Sequence, residues 1–246
     1  MTRRNIRRPG SARCRRVGHS IIRAGAGLEG LEHRLSGSSW DMVELDVLRR
    51  GNELVVAHDP SELEHAVQIP FAEALRTLRD LLPPTVELDV DIKTTGYELA
   101  VLDTLRELSL VPRTLVSTME TSSLRILRAA DPELRLGLSV PKVRRNYLAH
   151  PMTRPGAYVI LAYLRRALPG QVAEVLEAGA ADAIMAHWGV VSRRLVEAVH
   201  GRGAELYVWT VDDPQRLVAL EALGVTGVIT NDRELFRRAG FDAAPA

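Results

Sequence analysis

A single cysteine, Cys14, is present in the 246 residues. An internal disulfide framework and a cysteine-based metal site are therefore excluded. A surplus of charge of one sign is also missing. The 32 Lys and Arg against 31 Asp and Glu leave a formal net charge of +1, so no global basic field recruits nucleic acid. No apolar run has the length of a signal-peptide core or a membrane span, and the expectation is a soluble, cytoplasmic chain. Internal repeats, low-complexity stretches and signs of a second domain are likewise absent. What remains is 46% apolar and 26% charged residues, the balance of a globular chain long enough to bury a large core.

Charge is uneven in one place. Arg3, Arg4, Arg7, Arg8, Arg13, Arg15 and Arg16 fall within the first sixteen residues, with no acid among them. Residues 1–15 are expected to form a solvated, disordered basic arm, and residues 16–240 a single folded domain.

Across that domain, apolar bursts of strand length alternate with helical patterns, which predicts an α/β fold with parallel strands. Eight strands are expected at Arg16–Ser20, Met42–Val47, Val86–Lys93, Thr114–Thr118, Leu134–Ser139, Ala183–His187, Leu206–Val211 and Gly227–Thr230. Amphipathic stretches lie between them at Tyr97–Leu108, Ser122–Ala130, Gln171–Ala178, Ser192–His200 and Pro214–Leu223. Glu53–His58 reads as a ninth strand, but it follows Val47 too closely for a parallel crossover, so it must return as a β-hairpin. Setting it aside leaves eight strands, and a (β/α)₈ TIM barrel closes. The longest connection, Val140 to Gly156, reads as a surface excursion or lid.

Side chains on a strand alternate faces, so Glu44 and Asp46 share the lumenal face while Val43, Leu45 and Val47 pack under helices. The next parallel strand repeats this, with Glu87, Asp89, Asp91 and Lys93 pointing inward. Buried charge of this kind must pair or bind a cation. Glu44, Asp46 and Asp91 offer hard oxygen ligands suited to Mg²⁺ or Ca²⁺. An internal ion-pair network centred on Lys93 is the alternative, and three or more acids to one lysine favour the metal. His19 and His58 end strands at the same rim. Each taken singly reads as a hydrogen-bonded structural histidine. As a pair beside carboxylates, one can take a proton from a nucleophile while the other protonates a leaving oxygen. Lys93 can neutralise a phosphate.

The ordered segments Gly18-His19, Val43-Glu44-Leu45-Asp46-Val47, Val55-Val56-Ala57-His58-Asp59 and Asp89-Val90-Asp91-Ile92-Lys93 resemble the glycerophosphodiester phosphodiesterase family. So do Asp131–Gly137, Val208–Asp213 and Gly224–Thr230, so the resemblance runs from about Val17 to Asn231. It implies His19 and His58 as the acid/base pair and Glu44, Asp46 and Asp91 as ligands of a divalent cation, Mg²⁺ or Ca²⁺. It further implies Lys93 on the phosphate and Trp209 in the substrate pocket. The implied reaction is metal-dependent hydrolysis of a small-molecule glycerophosphodiester to an alcohol and a phosphomonoester. Ser20 stands where the family has arginine, Glu29 is a loose substitute in a missing segment, and Asp91 replaces a longer glutamate. Lys93 and the cation are then expected to hold the phosphate, with Arg23 in the first βα loop as a further contact. The Asp-x-Lys variant and the short Pro60–Pro84 segment also resemble sphingomyelinase D-like phospholipases, which release a cyclic phosphate. A barrel that binds a phosphorylated ligand without turnover is the non-enzyme reading. Nothing in the sequence bears on oligomeric state.

Overall fold

The computed structural model describes residues 14–18, 40–65, 68–141 and 154–241. In chain order the strands are β1 (Arg15–Gly18), β2 (Met42–Arg50), β3 (Glu53–Val56), β4 (Ile69–Pro70), β5 (Glu87–Ile92), β6 (Thr114–Thr118), β7 (Arg135–Val140), β8 (Ala183–His187), β9 (Glu205–Trp209) and β10 (Gly227–Thr230). The helices are α1 (Glu62–His65), α2 (Phe71–Leu81), α3 (Glu98–Glu107), α4 (Thr121–Ala130), α5 (Arg154–Glu177), α6 (Arg193–His200), α7 (Pro214–Leu223) and α8 (Leu235–Arg238). The parallel order β1-β10-β9-β8-β7-β6-β5-β2 returns to β1 through the β1–β2 pairing, which closes an eight-stranded barrel. β3 and β4 stand outside the ring as antiparallel additions to β2.

Face alternation divides the buried side chains as the sequence pattern requires. Val43, Leu45 and Val47 join the core between barrel and helices, where they meet α2 residues such as Phe71, Leu75 and Leu78. Val17, Met42, Leu115, Ala183, Met185, Tyr207 and Ile229 fill the lumen as a separate apolar plug. Below the plug lies a charged floor drawn from alternate strands, the layering expected inside such barrels. Arg15 reaches Glu87 Oε2 at 2.9 Å and the Tyr207 hydroxyl at 2.8 Å, while Arg135 bridges Glu87 at 2.8 Å and Glu205 at 2.5 Å. Glu87 is thus lumenal but belongs to the floor.

The hairpin forms where the short spacing demanded it. Arg50 pairs with Glu53 across Gly51-Asn52, and Gly51 takes φ +61°, which glycine adopts without steric cost. Arg15, expected in the disordered basic arm, instead opens β1 and pairs with Glu87, and the other differences from the expected elements are local. β3 ends at Val56, so Ala57 and His58 follow the strand instead of completing it. α2 fills much of the short Pro60–Pro84 segment, where no helix was expected; its Phe71, Ala74, Leu75 and Leu78 make the i, i+3, i+4, i+7 stripe of a buried helix face. Gln171–Ala178 is only the end of the 24-residue α5, which carries Pro169 inside it and starts at Arg154, within the stretch taken as a loop. Among the described residues, no helix is long and apolar enough to cross a membrane.

Candidate active site

Parallel register places Glu44 beside Asp89 and Asp46 beside Asp91, so β2 and β5 contribute a block of four acids at the C-terminal end of the lumen. Catalytic groups of (β/α)₈ enzymes collect at that end. Glu44, Asp46 and Asp91 each offer an oxygen, and these oxygens all lie within 4.8 Å of one another. Lys93 sits above them, and its Nζ lies 2.5 Å from Asp46 Oδ1 and 2.6 Å from Asp91 Oδ2. The hairpin adds the next group. The Ala57 N–H donates to the Asp46 carbonyl at 3.3 Å, which brings His58 to the same mouth, and the His58 N–H is held by Glu62 Oε2 at 2.9 Å. His58 is exposed and interacts electrostatically with Asp46.

Among the described residues, acids outnumber bases in this block. Burial works against the Lys93 ammonium, but Asp91, Asp46 and Glu44 together outweigh it and raise its pKa well above the usual lysine range. Burial, and then Glu44, pushes the Asp46 carboxyl up despite the nearby ammonium. Asp89 is pushed well up by burial, Glu44 and Asp91, which outweigh the Ser117 hydrogen bond and the Lys93 charge. Its buried Oδ1 meets no hydrogen-bond partner among the described residues. Among the described residues, one lysine therefore faces four acids, with His58 close to Asp46.

That donor set fits a hard divalent cation. Mg²⁺ and Ca²⁺ take oxygen ligands at about 2.0–2.6 Å, so two ligands of one ion stand at most roughly 4–5 Å apart. Three carboxylates with oxygens no more than 4.8 Å apart satisfy that limit without moving the backbone. The set contains no sulfur or histidine that would favour a softer metal.

The opposite side of the mouth is aromatic. In ring order β8 lies four strands from β2. His187 ends β8 and pairs in register with Trp209, which ends β9. Their rings meet edge to face with centroids 5.1 Å apart, and the indole N–H of Trp209 donates to the Met185 carbonyl at 3.0 Å. Trp188 follows His187, and the Arg216 guanidinium lies 3.8 Å from the centre of its ring.

Of the residues singled out in the sequence, the structure brings Glu44, Asp46, Asp91, Lys93 and His58 together and sets Trp209 across the mouth from them. His19 and Arg23 lie outside the described residues, as does Ser20. Asp89, His187, Trp188 and Arg216 were not among the candidates. His187 carried the same signal as His58, a histidine closing a strand at the rim. Arg216 gave no signal, because its contact with Trp188 exists only once α7 is docked.

Comparison with known proteins gives the family and the fold. The model of the glycerophosphoryl diester phosphodiesterase family matches residues 77–235, a span that includes Asp91, Lys93 and Trp209 and begins after His58. No protein of curated function matches the chain. Among solved structures, a Silicibacter pomeroyi protein assigned to the glycerophosphoryl diester phosphodiesterases superposes with a TM-score of 0.71 at 17% identity, covering 94% of each chain. A glycerophosphodiester phosphodiesterase from Parabacteroides distasonis gives 0.67 at 17% identity, over 94% of this chain and 100% of the other. An Oleispira antarctica phosphodiesterase, solved with its product sn-glycerol-3-phosphate, gives 0.67 at 16% identity, over 93% and 97%. At such identities the superpositions establish the barrel. The family model spans well over half of the sequence, and on that ground the chain belongs to the glycerophosphoryl diester phosphodiesterase family, a family of phosphoric diester hydrolases.

Proposed function

We propose that the chain hydrolyses a glycerophosphodiester to an alcohol and glycerol phosphate, with a divalent cation held by Glu44, Asp46 and Asp91. The observation that carries this reading is the convergence of those three carboxylates at the barrel mouth, in a block where the described acids outnumber the bases. The product bound to the Oleispira antarctica neighbour is of the class this reaction would release.

When bound, the cation would draw charge from the phosphate oxygens and screen the acids from the substrate. The protein's own groups then have distinct tasks. Lys93, held as an ammonium, is placed to exchange its carboxylate contacts for a phosphate oxygen. His58 and His19 are the acid/base pair. One takes a proton from the attacking water as its oxygen bonds to phosphorus, and the other gives a proton to the alcohol oxygen as the P–O bond breaks. His58 has the position for this, exposed beside Asp46 at the end of the hairpin. The role of His19 rests on the resemblance of Gly18-His19 to the family motif. Arg23 is assigned to the phosphate on the same ground, and Trp209 to the wall of the alcohol pocket.

The test is ³¹P NMR of the purified protein with a panel of glycerophosphodiesters and lysophospholipids, in Mg²⁺ or Ca²⁺. A phosphomonoester product supports hydrolysis. A cyclic phosphate as the end product would replace it with internal attack by a substrate hydroxyl. No reaction across the panel would leave a ligand-binding barrel.

A further inference from the structure

Trp209, His187, Trp188 and Arg216 form a row along the rim facing the acidic block, each in contact with the next. Two features make it a built surface instead of a chance grouping. The first fixes the proton of His187. The Gly189 N–H donates to His187 Nδ1 at 3.1 Å, and a backbone N–H can only donate, so Nδ1 holds a lone pair and the ring proton sits on Nε2. Burial, and then Arg216, holds the His187 pKa below the usual histidine range, which keeps the ring neutral. Among the described residues Nε2 has no partner. The turn is shaped for this contact, since a Cβ on residue 189 would come within 3.0 Å of His187 Nδ1.

The second feature is the occupied face of Trp188. An exposed indole at the mouth of a phosphodiesterase would be a seat for a quaternary ammonium group, which binds aromatic faces by cation–π attraction. Arg216 already covers that face at 3.8 Å. Its charge is only loosely offset by Asp213 Oδ2, 3.8 Å away and itself half-exposed. A cationic headgroup arriving here would lose the aromatic seat and meet a like charge.

We propose that this row receives the alcohol half of the diester and selects a hydroxylated alcohol over a cationic one. His187 Nε2–H donates to a hydroxyl oxygen of the alcohol, Trp209 supplies an apolar wall, and Arg216 repels positive charge. The proposal rests on the reading that the acidic side of the mouth holds the phosphate. The rest of the diester then extends across the lumen toward β8 and β9.

The experiment compares kcat/KM on two diesters that differ only in one alcohol, sn-glycero-3-phosphoglycerol and sn-glycero-3-phosphocholine, in the same divalent cation. Wild type is expected to favour the glycerol ester. Arg216→Gln should narrow the gap by raising the choline ester about fivefold, the scale of a solvent-exposed charge interaction. Arg216→Lys keeps the charge and should keep the wild-type ratio. His187→Phe keeps the ring and loses the donor; it should cost the glycerol ester roughly five- to tenfold, the scale of one hydrogen bond, and mainly through KM. A wild type that favours the choline ester overturns the proposal, as does a ratio that Arg216→Gln leaves unchanged. If no diester is cleaved, the hydrolytic reading fails separately, and calorimetric binding of the same two diesters reads the row on its own. Tighter binding of the glycerol ester, with the gap closing in Arg216→Gln, upholds the selection. Equal binding overturns it.

Discussion

The two ends of the barrel lumen use the same residue types to opposite effect. At the floor, Arg15 and Arg135 meet Glu87 and Glu205, two positive groups for two negative ones, and the Tyr207 hydroxyl takes a further Arg15 hydrogen. At the mouth, among the described residues, Lys93 and the exposed His58 face Glu44, Asp46, Asp89 and Asp91. β5 supplies both ends, Glu87 to the floor and Asp91 to the mouth, separated by two turns of the pleat. The difference shows in the direction of the pKa shifts. Burial would raise the Glu87 carboxyl, but Arg135 and Arg15 outweigh it and hold it below its ordinary 4.5. Asp46 and Asp89 are raised instead. A balanced buried network holds the barrel together, whereas the acids at the mouth, on the function proposed above, take a cation as counter-charge.

The largest effects should come from removing ligands at the mouth. Glu44→Gln is expected to cost roughly 10³-fold or more in turnover, the several kcal/mol a bound cation contributes to a developing phosphoryl charge. Its melting temperature in chelator should be no lower than wild type, because the substitution relieves repulsion. His58→Ala should cost about 10²–10⁴-fold with the fold intact, as for the loss of a general acid or base. Near wild-type turnover in Glu44→Gln, or full activity after exhaustive chelation, would show that the mouth is only an ion network.

Next in size is stabilisation by the cation itself. At a hundredfold excess over its dissociation constant, a ligand of the folded state contributes about 2.7 kcal/mol. For a chain of this size that is a rise of roughly 5–10 °C in melting temperature. Scanning calorimetry with Mg²⁺ or Ca²⁺ should show the rise in wild type and lose it in Glu44→Gln, while Glu87→Gln should keep it. An equal shift in all three would place the ion elsewhere.

How much of this contrast is visible before folding depends on the range of the contacts. The lumenal placement of Glu44 and Asp46 is local, because alternation along Met42–Val47 decides it. The hairpin that brings His58 to Asp46 is also local, since a short spacer forbids any other return. Helix α5 is harder to see. It is apolar on most sides over its first half and carries Pro169-Gly170 within it, so no clean stripe marks it and the pair reads as a break. Helix α2 did carry a legible stripe, Phe71, Ala74, Leu75 and Leu78, in the short Pro60–Pro84 segment. For the floor, the only local signal was the inward face of Glu87. Arg15, Arg135 and Glu205 are far apart in sequence, and only barrel closure makes them neighbours. The same holds for Arg216 on Trp188.

The floor makes the third prediction. Glu87→Gln removes the acid shared by Arg15 and Arg135, and is expected to cost about 2 kcal/mol at neutral pH, given partial access to water. That is roughly a 4–8 °C drop in melting temperature. The pH dependence follows from the direction of the shift. A carboxyl with a lowered folded-state pKa adds stability that is complete above its ordinary 4.5 and disappears as pH falls through the folded value. The gap between wild type and Glu87→Gln should therefore be constant near neutrality and close in acid. A gap that widens in acid would mean the arginines do not hold Glu87.

The smallest effect is the most direct test of the contrast, because it should have the opposite sign. Asp89 lies on the same strand two residues beyond Glu87 and is equally lumenal, but it is fully buried among acids. Among the described residues its Oδ1 finds no partner. Asp89→Asn keeps the shape, removes a charge that the surroundings disfavour, and supplies an N–H that a neighbouring carboxylate such as Glu44 can accept. A buried acid whose acidic neighbours outweigh its counter-charge is destabilising, and the amide is expected to recover about 1 kcal/mol, or roughly 2–4 °C. Melting in chelator at neutral pH makes the comparison clean, since no cation then offsets the mouth's charge. Removing one acid from β5 would thus weaken the barrel at position 87 and strengthen it at position 89. A loss of stability in Asp89→Asn as large as that in Glu87→Gln would mean that Asp89 is a paired structural acid, and that the mouth is balanced after all.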